Sequence, residues 1–281
     1  MKLQYLGTAA AEGIPALYCQ CPLCKKARER KGKDIRGRSG LVIDDQLMID
    51  FPPDILTYMV RFQLDLSKIK HLIVTHSHTD HFAPADLVLR QPGCYCNIID
   101  GEPVLYVHGN GEVLRLTSQA LKNEYQTDQV SFLKTSLLTA FEAIDIEDYK
   151  ITPLPAVHKP DEDAYIYLVQ QGGSTLLYAH DTGIFIPSVF DYLEKNKIVL
   201  DMISLDCTCC TKKEGTNHMG FPDDAEVLER LKSSHTVTDK TICVVNHFSH
   251  NGLLTHEQLE AEAKKYGQNF QVAYDGMVLY I

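Results

Sequence analysis

His71-Leu72-Ile73-Val74-Thr75-His76-Ser77-His78-Thr79-Asp80-His81 decides how this chain is read. The apolar run closed by Thr75 predicts a buried strand, and the next six residues put three imidazoles and one carboxylate on a loop at its end. So many donors in so short a stretch point to bound metal. Alternate residues of an extended segment face the same way, so His76 and His78 can close on one ion. Asp80 and His81, past the turn, reach a neighbouring one. A histidine-rich surface loop is the plainer alternative, but the order of residues and the preceding strand fit the metal site better.

The whole chain sets bounds on that site. Its 281 residues, 44% hydrophobic and 23% charged, describe a soluble globular protein with ample length for a core. The 27 Lys and Arg are outnumbered by 37 acids, a formal charge of −10, which argues against a broad basic face for a polyanion. A small anion remains a fitting partner, because divalent ions reverse the local sign. The start, Met1-Lys2-Leu3-Gln4-Tyr5-Leu6-Gly7, is too short in apolar residues for a signal peptide, and no apolar run is long enough for a membrane span. A cytoplasmic location is expected. Nine Cys, three of them within Cys19–Cys24, suit a reducing compartment and metal ligation better than a disulfide framework.

From the N-terminus, Lys2 to Leu6 reads as a strand entering a glycine-bearing loop, Gly7 to Pro15, expected to come close to the active site. In Cys19-Gln20-Cys21-Pro22-Leu23-Cys24, three thiolates need one more ligand to complete a tetrahedral zinc site; a redox Cys-x-x-Cys is the rival reading. Lys25 to Lys33 fits a solvated helix, and the strands 41–43 and 47–49 form a hairpin that ends at Asp50. A helix from Asp54 to Phe62 leads to the histidine strand. Beyond His81 come a short helix from Pro84 to Leu89, a strand from Val104 to Val107 and a helix from Gly111 to Tyr125. His108 between the last two reads as structural, and Cys94 and Cys96 as buried or incidental. Residues 126–149 lack clear turn signals.

Farther on, a strand reaches His158, and the strands 164–170 and 175–179 flank Gly172-Gly173 as a hairpin ending in His180-Asp181. Asp181 can bridge two cations, while His180 would point the other way. The strand 201–205 ends in Asp206-Cys207-Thr208-Cys209-Cys210, whose thiols carry no metal or base spacing and read as bystanders. His218 precedes a helix from Pro222 to Lys232, where a helix start favours an anion. The strand 242–245 delivers His247 and His250, a helix follows from Thr255 to Lys264, and two strands flank Asp275-Gly276. Strands and helices recur in two halves without a linker. The fold class expected is therefore α/β, a four-layer αββα sandwich, with residues 1–281 as one domain.

The pattern His-x-His-x-Asp-His at 76–81 resembles the signature of the metallo-β-lactamase fold, a superfamily of mostly dinuclear metallohydrolases, and matches its every fixed position. The Cys trio with His247-x-x-His250 resembles the branch of carbon–phosphorus lyase accessory phosphodiesterases, whose best-known member opens a ribosyl cyclic phosphate. The resemblance implies that His76, His78 and His158 hold a first ion, that Asp80, His81 and His247 hold a second, and that Asp181 bridges them. The ions would be zinc, manganese or iron. It further implies a structural zinc on Cys19, Cys21, Cys24 and His250, an orienting role for Asp50 behind the first-loop histidines, and His218 as general acid. The expected substrate is a small anionic phosphodiester, cyclic or open, attacked by a hydroxide shared between the ions. No membrane or extended nucleic acid is expected as partner, and a homodimer is left open. Two other functions share the fold: a non-catalytic protein resembling the pyrroloquinoline quinone biosynthesis protein, and a transfer-RNA 3′-processing nuclease, which the charge of −10 disfavours.

Overall fold

A computed structural model describes residues 1–281. The first sheet contains β1 (Lys2–Gly7), β2 (Gly40–Ile43), β3 (Leu47–Ile49), β4 (His71–Ile73), β5 (Leu105–Gly109), β6 (Leu133–Leu137) and β14 (Val278–Tyr280), in the order β14-β1-β2-β3-β4-β5-β6. The second contains β7 (Ile144–Ile146), β8 (Tyr149–Pro155), β9 (Tyr165–Gln171), β10 (Ser174–Ala179), β11 (Met202–Asp206), β12 (Ile242–Asn246) and β13 (Gln271–Val272), in the order β13-β12-β11-β10-β9-β8-β7.

The central strands are apolar on both faces, and the pleat sorts their side chains into separate layers. Tyr165, Tyr167 and Val169 of β9 and Leu176 and Tyr178 of β10 join Leu3, Tyr5, Leu41, Ile43 and Ile49 between the sheets. Their alternates Ile166, Leu168, Leu177 and Ala179 face outward onto α4 (Pro187–Lys195) and α5 (Phe221–Ser233). On the opposite outer face, α2 (Ile55–Phe62) and α3 (Gly111–Tyr125) cover Val42, Met48, Leu72 and Val107. The layers are therefore α, β, β, α, the sandwich the sequence implied. Next to it, α1 (Pro22–Arg30) and α6 (His256–Ala263) close a smaller cluster around Val245 and Phe248. The strands β3 to β6 are mutually parallel, as are β10 to β13, so the loops after β3, β4, β10, β11 and β12 emerge where ligands gather in α/β folds.

Several elements differ from the sequence reading. The strand β4 stops at Ile73, short of Thr75, because the Asp50 carboxylate takes the Thr75 N–H at 2.8 Å and withdraws it from the ladder. The first helix starts at Pro22 instead of Lys25, with proline in its first turn and the Cys21 side chain accepting the Cys24 N–H. The turn at Pro84–Arg90 is a 3₁₀ helix. Residues 126–149 hold β6 and β7, one in each sheet, and so carry the chain across. The final strands do not pair with each other: β13 lies beside β12 and β14 beside β1, making Asp275-Gly276 a second crossing. The helix α4 went unread although Ile186-Pro187 marks its start. Cys94 is exposed and Cys96 half-buried, so burial does not account for them.

His108 is buried, as a structural histidine should be, with Nε2 3.1 Å from His71 Nδ1. Burial, then His71, lowers its pKa from 6.5 to about 4. The folded ring is neutral, so its contribution is present above pH 6.5 and is lost as pH falls from there to 4, the interval in which the unfolded chain alone takes up a proton. With the metal ions chelated, His108→Gln should lose up to about 3 kcal/mol less stability than the parent between pH 7 and pH 4. Urea denaturation at the two pH values measures this, and parallel losses would exclude it.

Candidate metal centre

The donors stand at strand ends. Asp50 follows β3, His76 to His81 follow β4, Asp181 follows β10, and His247 follows β12. Three of these hold left-handed backbone, Asp50 at φ 65°, Asp181 at φ 52° and His247 at φ 62°, a conformation non-glycine residues adopt at a cost. Its recurrence at one edge marks the site.

Three overlapping groups of donors form there, and two of them hold the residues read as ligands. In the first, His78 Nδ1 lies 2.9 Å from His76 Nε2 and 3.0 Å from His158 Nε2, while Asp181 Oδ2 lies 3.3 Å and 3.4 Å from the latter two. In the second, His81 Nε2 lies 2.9 Å from Asp181 Oδ2, 3.3 Å from Asp80 Oδ2 and 3.2 Å from His247 Nε2. Asp181 belongs to both, so all seven residues read as ligands converge.

The outer partners fix which ring nitrogen faces inward. His81 Nδ1 donates to Asp50 Oδ2 at 2.7 Å and His158 Nδ1 to the Asn217 carbonyl at 3.2 Å. His247 Nδ1 donates to Thr208 Oγ1 at 2.7 Å, and His76 Nδ1 to Thr75 Oγ1 at 3.0 Å, whose own proton goes to Asp50. Each of these rings, when neutral, turns an unprotonated Nε2 into the cluster. Nitrogen lone pairs this close repel unless a cation lies among them, so the donor set fits a pair of divalent ions.

The electrostatics agree. Burial opposes charge on Asp181, yet His247 and His81 hold its carboxyl well below the usual range. Burial also opposes charge on His81, but Asp50, Asp80 and Asp181 raise it well above 6.5. Without metal that ring is protonated; an ion at Nε2 displaces the proton. Burial brings His76 down to about 3.

A second centre gathers Cys19, Cys21, Cys24 and His250. The three Sγ atoms lie 3.4, 3.7 and 3.6 Å from His250 Nδ1. A tetrahedral zinc with ordinary Zn–S and Zn–N bonds sets that edge at about 3.5 Å. These residues therefore fit a structural zinc. Glu12 of the first loop accepts hydrogen bonds from Ser249 Oγ and the His250 N–H, which ties that loop to the one carrying His247.

His218 Nδ1 lies 3.1 Å from Asp181 Oδ1 and 3.3 Å from Asp206 Oδ2. Against burial, those carboxylates raise it to about 10. The argument from the helix start does not hold, because Asp223 Oδ2 takes the Gly220 N–H at 3.1 Å and caps α5. His180 turns away to Ser204 Oγ at 2.7 Å, outside both groups, and Cys207 and Cys210 pack in the core near Phe248. Sequence reasoning missed Asp206. Fully buried, it accepts the backbone N–H groups of Asp181, Thr208 and Met219 at 3.0, 3.0 and 2.9 Å and so ties the β10, β11 and 207–219 segments together. Its signal was available, an aspartate closing an apolar strand like Asp50.

Residues 47–238 match the model of the beta-lactamase superfamily domain. Among curated proteins, coenzyme PQQ synthesis protein B of Acinetobacter baumannii (strain SDF) is 23% identical, over 99% of both chains. Among solved structures, a diphosphatase of the PhnP family superposes with a TM-score of 0.73 at 24% identity, covering 99% of this chain and 96% of that one. Human tRNase Z, short form, gives 0.68 at 18%, covering 100% and 99%. With most of its length inside the family match and a two-sheet architecture shared end to end with these solved structures, the chain belongs to the beta-lactamase superfamily, in its metallo-β-lactamase fold.

Proposed function

We propose that this protein is a dinuclear-metal-dependent phosphodiesterase acting on a small, anionic phosphodiester, cyclic or open. The observation that carries this reading is one carboxylate, Asp181, shared between two complete donor groups with His218 beside it. Two divalent ions would supply an activated water near neutral pH and offset the charge of the phosphoryl oxygens. The chain's own part is to orient and to move protons. His218, with Nδ1 held by Asp206, keeps Nε2 on its far side, free to protonate the departing alkoxide. The water oxygen joins phosphorus, the phosphorus–alkoxide bond breaks, and the His218 proton leaves with the alcohol. None of the nine cysteines is in a disulfide, and three of them, Cys19, Cys21 and Cys24, stand in the zinc-fitting group. No helix is long and apolar enough to cross a membrane.

The variants Asp80→Ala and His218→Ala should separate metal binding from acid catalysis. The first should lose one ion. The second should keep both and turn over an alkyl phosphodiester about 10²–10⁴-fold more slowly, with a smaller deficit on an activated nitrophenyl ester. Equal rates for His218→Ala and the parent on the alkyl substrate would remove the acid role. A second reading, a biosynthetic or binding protein without hydrolysis, is favoured by the end-to-end match to the PQQ synthesis protein. Turnover of bis(p-nitrophenyl) phosphate that stops on chelation decides against it.

A further inference from the structure

Glu162 lies between β8 and β9, in the segment that carries His158, with its side chain 5% exposed. Its Oε1 accepts the Ser77 N–H at 2.8 Å and the Ser77 hydroxyl at 3.0 Å. Lys159 Nζ donates to Ser77 Oγ at 3.0 Å and stands 3.3 Å from the same carboxylate oxygen. The bonds of this three-residue ring are mutually consistent in direction, and Glu162 Oε2 is left buried without a partner. The hydroxyl gives its hydrogen to Glu162 and takes one from Lys159.

The ring joins particular neighbours. Ser77 separates His76 from His78, and Lys159 follows His158, so Glu162 links the first-sheet loop and the second-sheet loop that together supply the three histidines of the first donor group. We propose that Glu162 is a positioning residue that sets the spacing of these loops and thereby the affinity of the site for the first ion. The inference rests on the two-ion reading above. The other group takes its orientation from Asp50 and Thr208, which Glu162 does not touch, and so serves as an internal control.

Both loops are also anchored without Glu162. The Asp163 carbonyl accepts from Asn110 Nδ2 at 2.7 Å, the Tyr165 N–H donates to the Thr75 carbonyl at 2.9 Å, and the Tyr167 hydroxyl reaches the Val74 carbonyl at 2.6 Å. Removing the carboxylate should therefore loosen ligand geometry without unfolding the chain. Outer partners of metal ligands typically carry a 10–100-fold effect on affinity.

The test is stepwise Co²⁺ binding, followed by its visible bands and by competition with a chelator, in the full chain freed of its histidine-bound ions. Glu162→Ala should weaken one of two binding steps about 10–100-fold, the step that His158→Ala abolishes, and leave the other step unchanged. Its unfolding midpoint before cobalt is added should match the parent's. Glu162→Gln should bind within about threefold of the parent, since its amide oxygen still accepts both Ser77 bonds. Parental binding of both ions by Glu162→Ala would overturn the inference. So would an equal loss of both steps with a lowered midpoint, or a glutamine variant as impaired as the alanine one. A parent that takes up no cobalt at its histidines would overturn the two-ion reading itself, a result distinct from these.

Discussion

Replacing Asp181 with alanine is expected to strip both histidine-bound ions and to reduce hydrolysis of bis(p-nitrophenyl) phosphate by about 10⁴-fold or more. No other substitution in the centre should do as much, because Asp181 Oδ2 lies within 3.4 Å of His76, His81 and His158 and so serves both groups at once. Losing it also leaves five imidazoles with less negative charge to hold a pair of dications. Elemental analysis separates the outcomes: about three metals per chain in the parent and about one in the variant, the survivor being the thiolate-bound zinc. Asp181→Asn keeps an oxygen but not the charge, and its metal content should fall between. An alanine variant that retained three metals would mean that the carboxylate is not a shared ligand.

The second large effect belongs to stability. Cys24→Ser should lose the zinc of the thiolate site and lower the thermal unfolding midpoint by roughly 10 °C or more. Cys24 is fully buried, and its centre joins positions 226 residues apart in sequence. A cross-link that closes so long a loop restricts the unfolded chain by about 5 kcal/mol in the chain-entropy estimate. Scanning calorimetry beside zinc analysis checks it, and zinc loss without a shift in midpoint would show that the centre is not a staple. The catalytic ions should largely remain, since Asp80, His81 and Asp181 do not depend on the N-terminal loop.

The part of the site legible in sequence is the part built from contiguous residues. His76, His78, Asp80 and His81 share one loop, so strand periodicity and donor density expose them together. His158 is a single histidine after an apolar strand that only the family resemblance distinguished from a surface residue, and the same resemblance divided the pair His247 and His250 between the two centres. Glu162 was not read at all, because its bond to Ser77 crosses from one sheet to the other and leaves no periodic trace, whereas Asp206 closes an apolar strand as Asp50 does and could have been read. The same holds for the fold. Strands apolar on both faces could be counted, but the assignment of β6 and β7 to opposite sheets depends on packing of residues far apart in sequence. The helix α4 was an avoidable miss in the fold, with Pro187 at its start and Val189, Phe190 and Leu193 along one face.

The crossing at Asp275-Gly276 bears on how a ribosome would deliver this molecule. The strand β1 pairs with β14, which is reached only after β13 has joined the other sheet, and the Tyr5 N–H donates to the Met277 carbonyl at 2.9 Å. During synthesis at roughly 5–20 residues per second, the β1 edge waits on the order of 15–50 s for its partner. For that interval a nascent chain presents an unpaired edge that favours association with other chains. Stalling translation just before residue 271 should therefore yield a chain with a high demand for chaperones, and synthesis and release through β14 should end it.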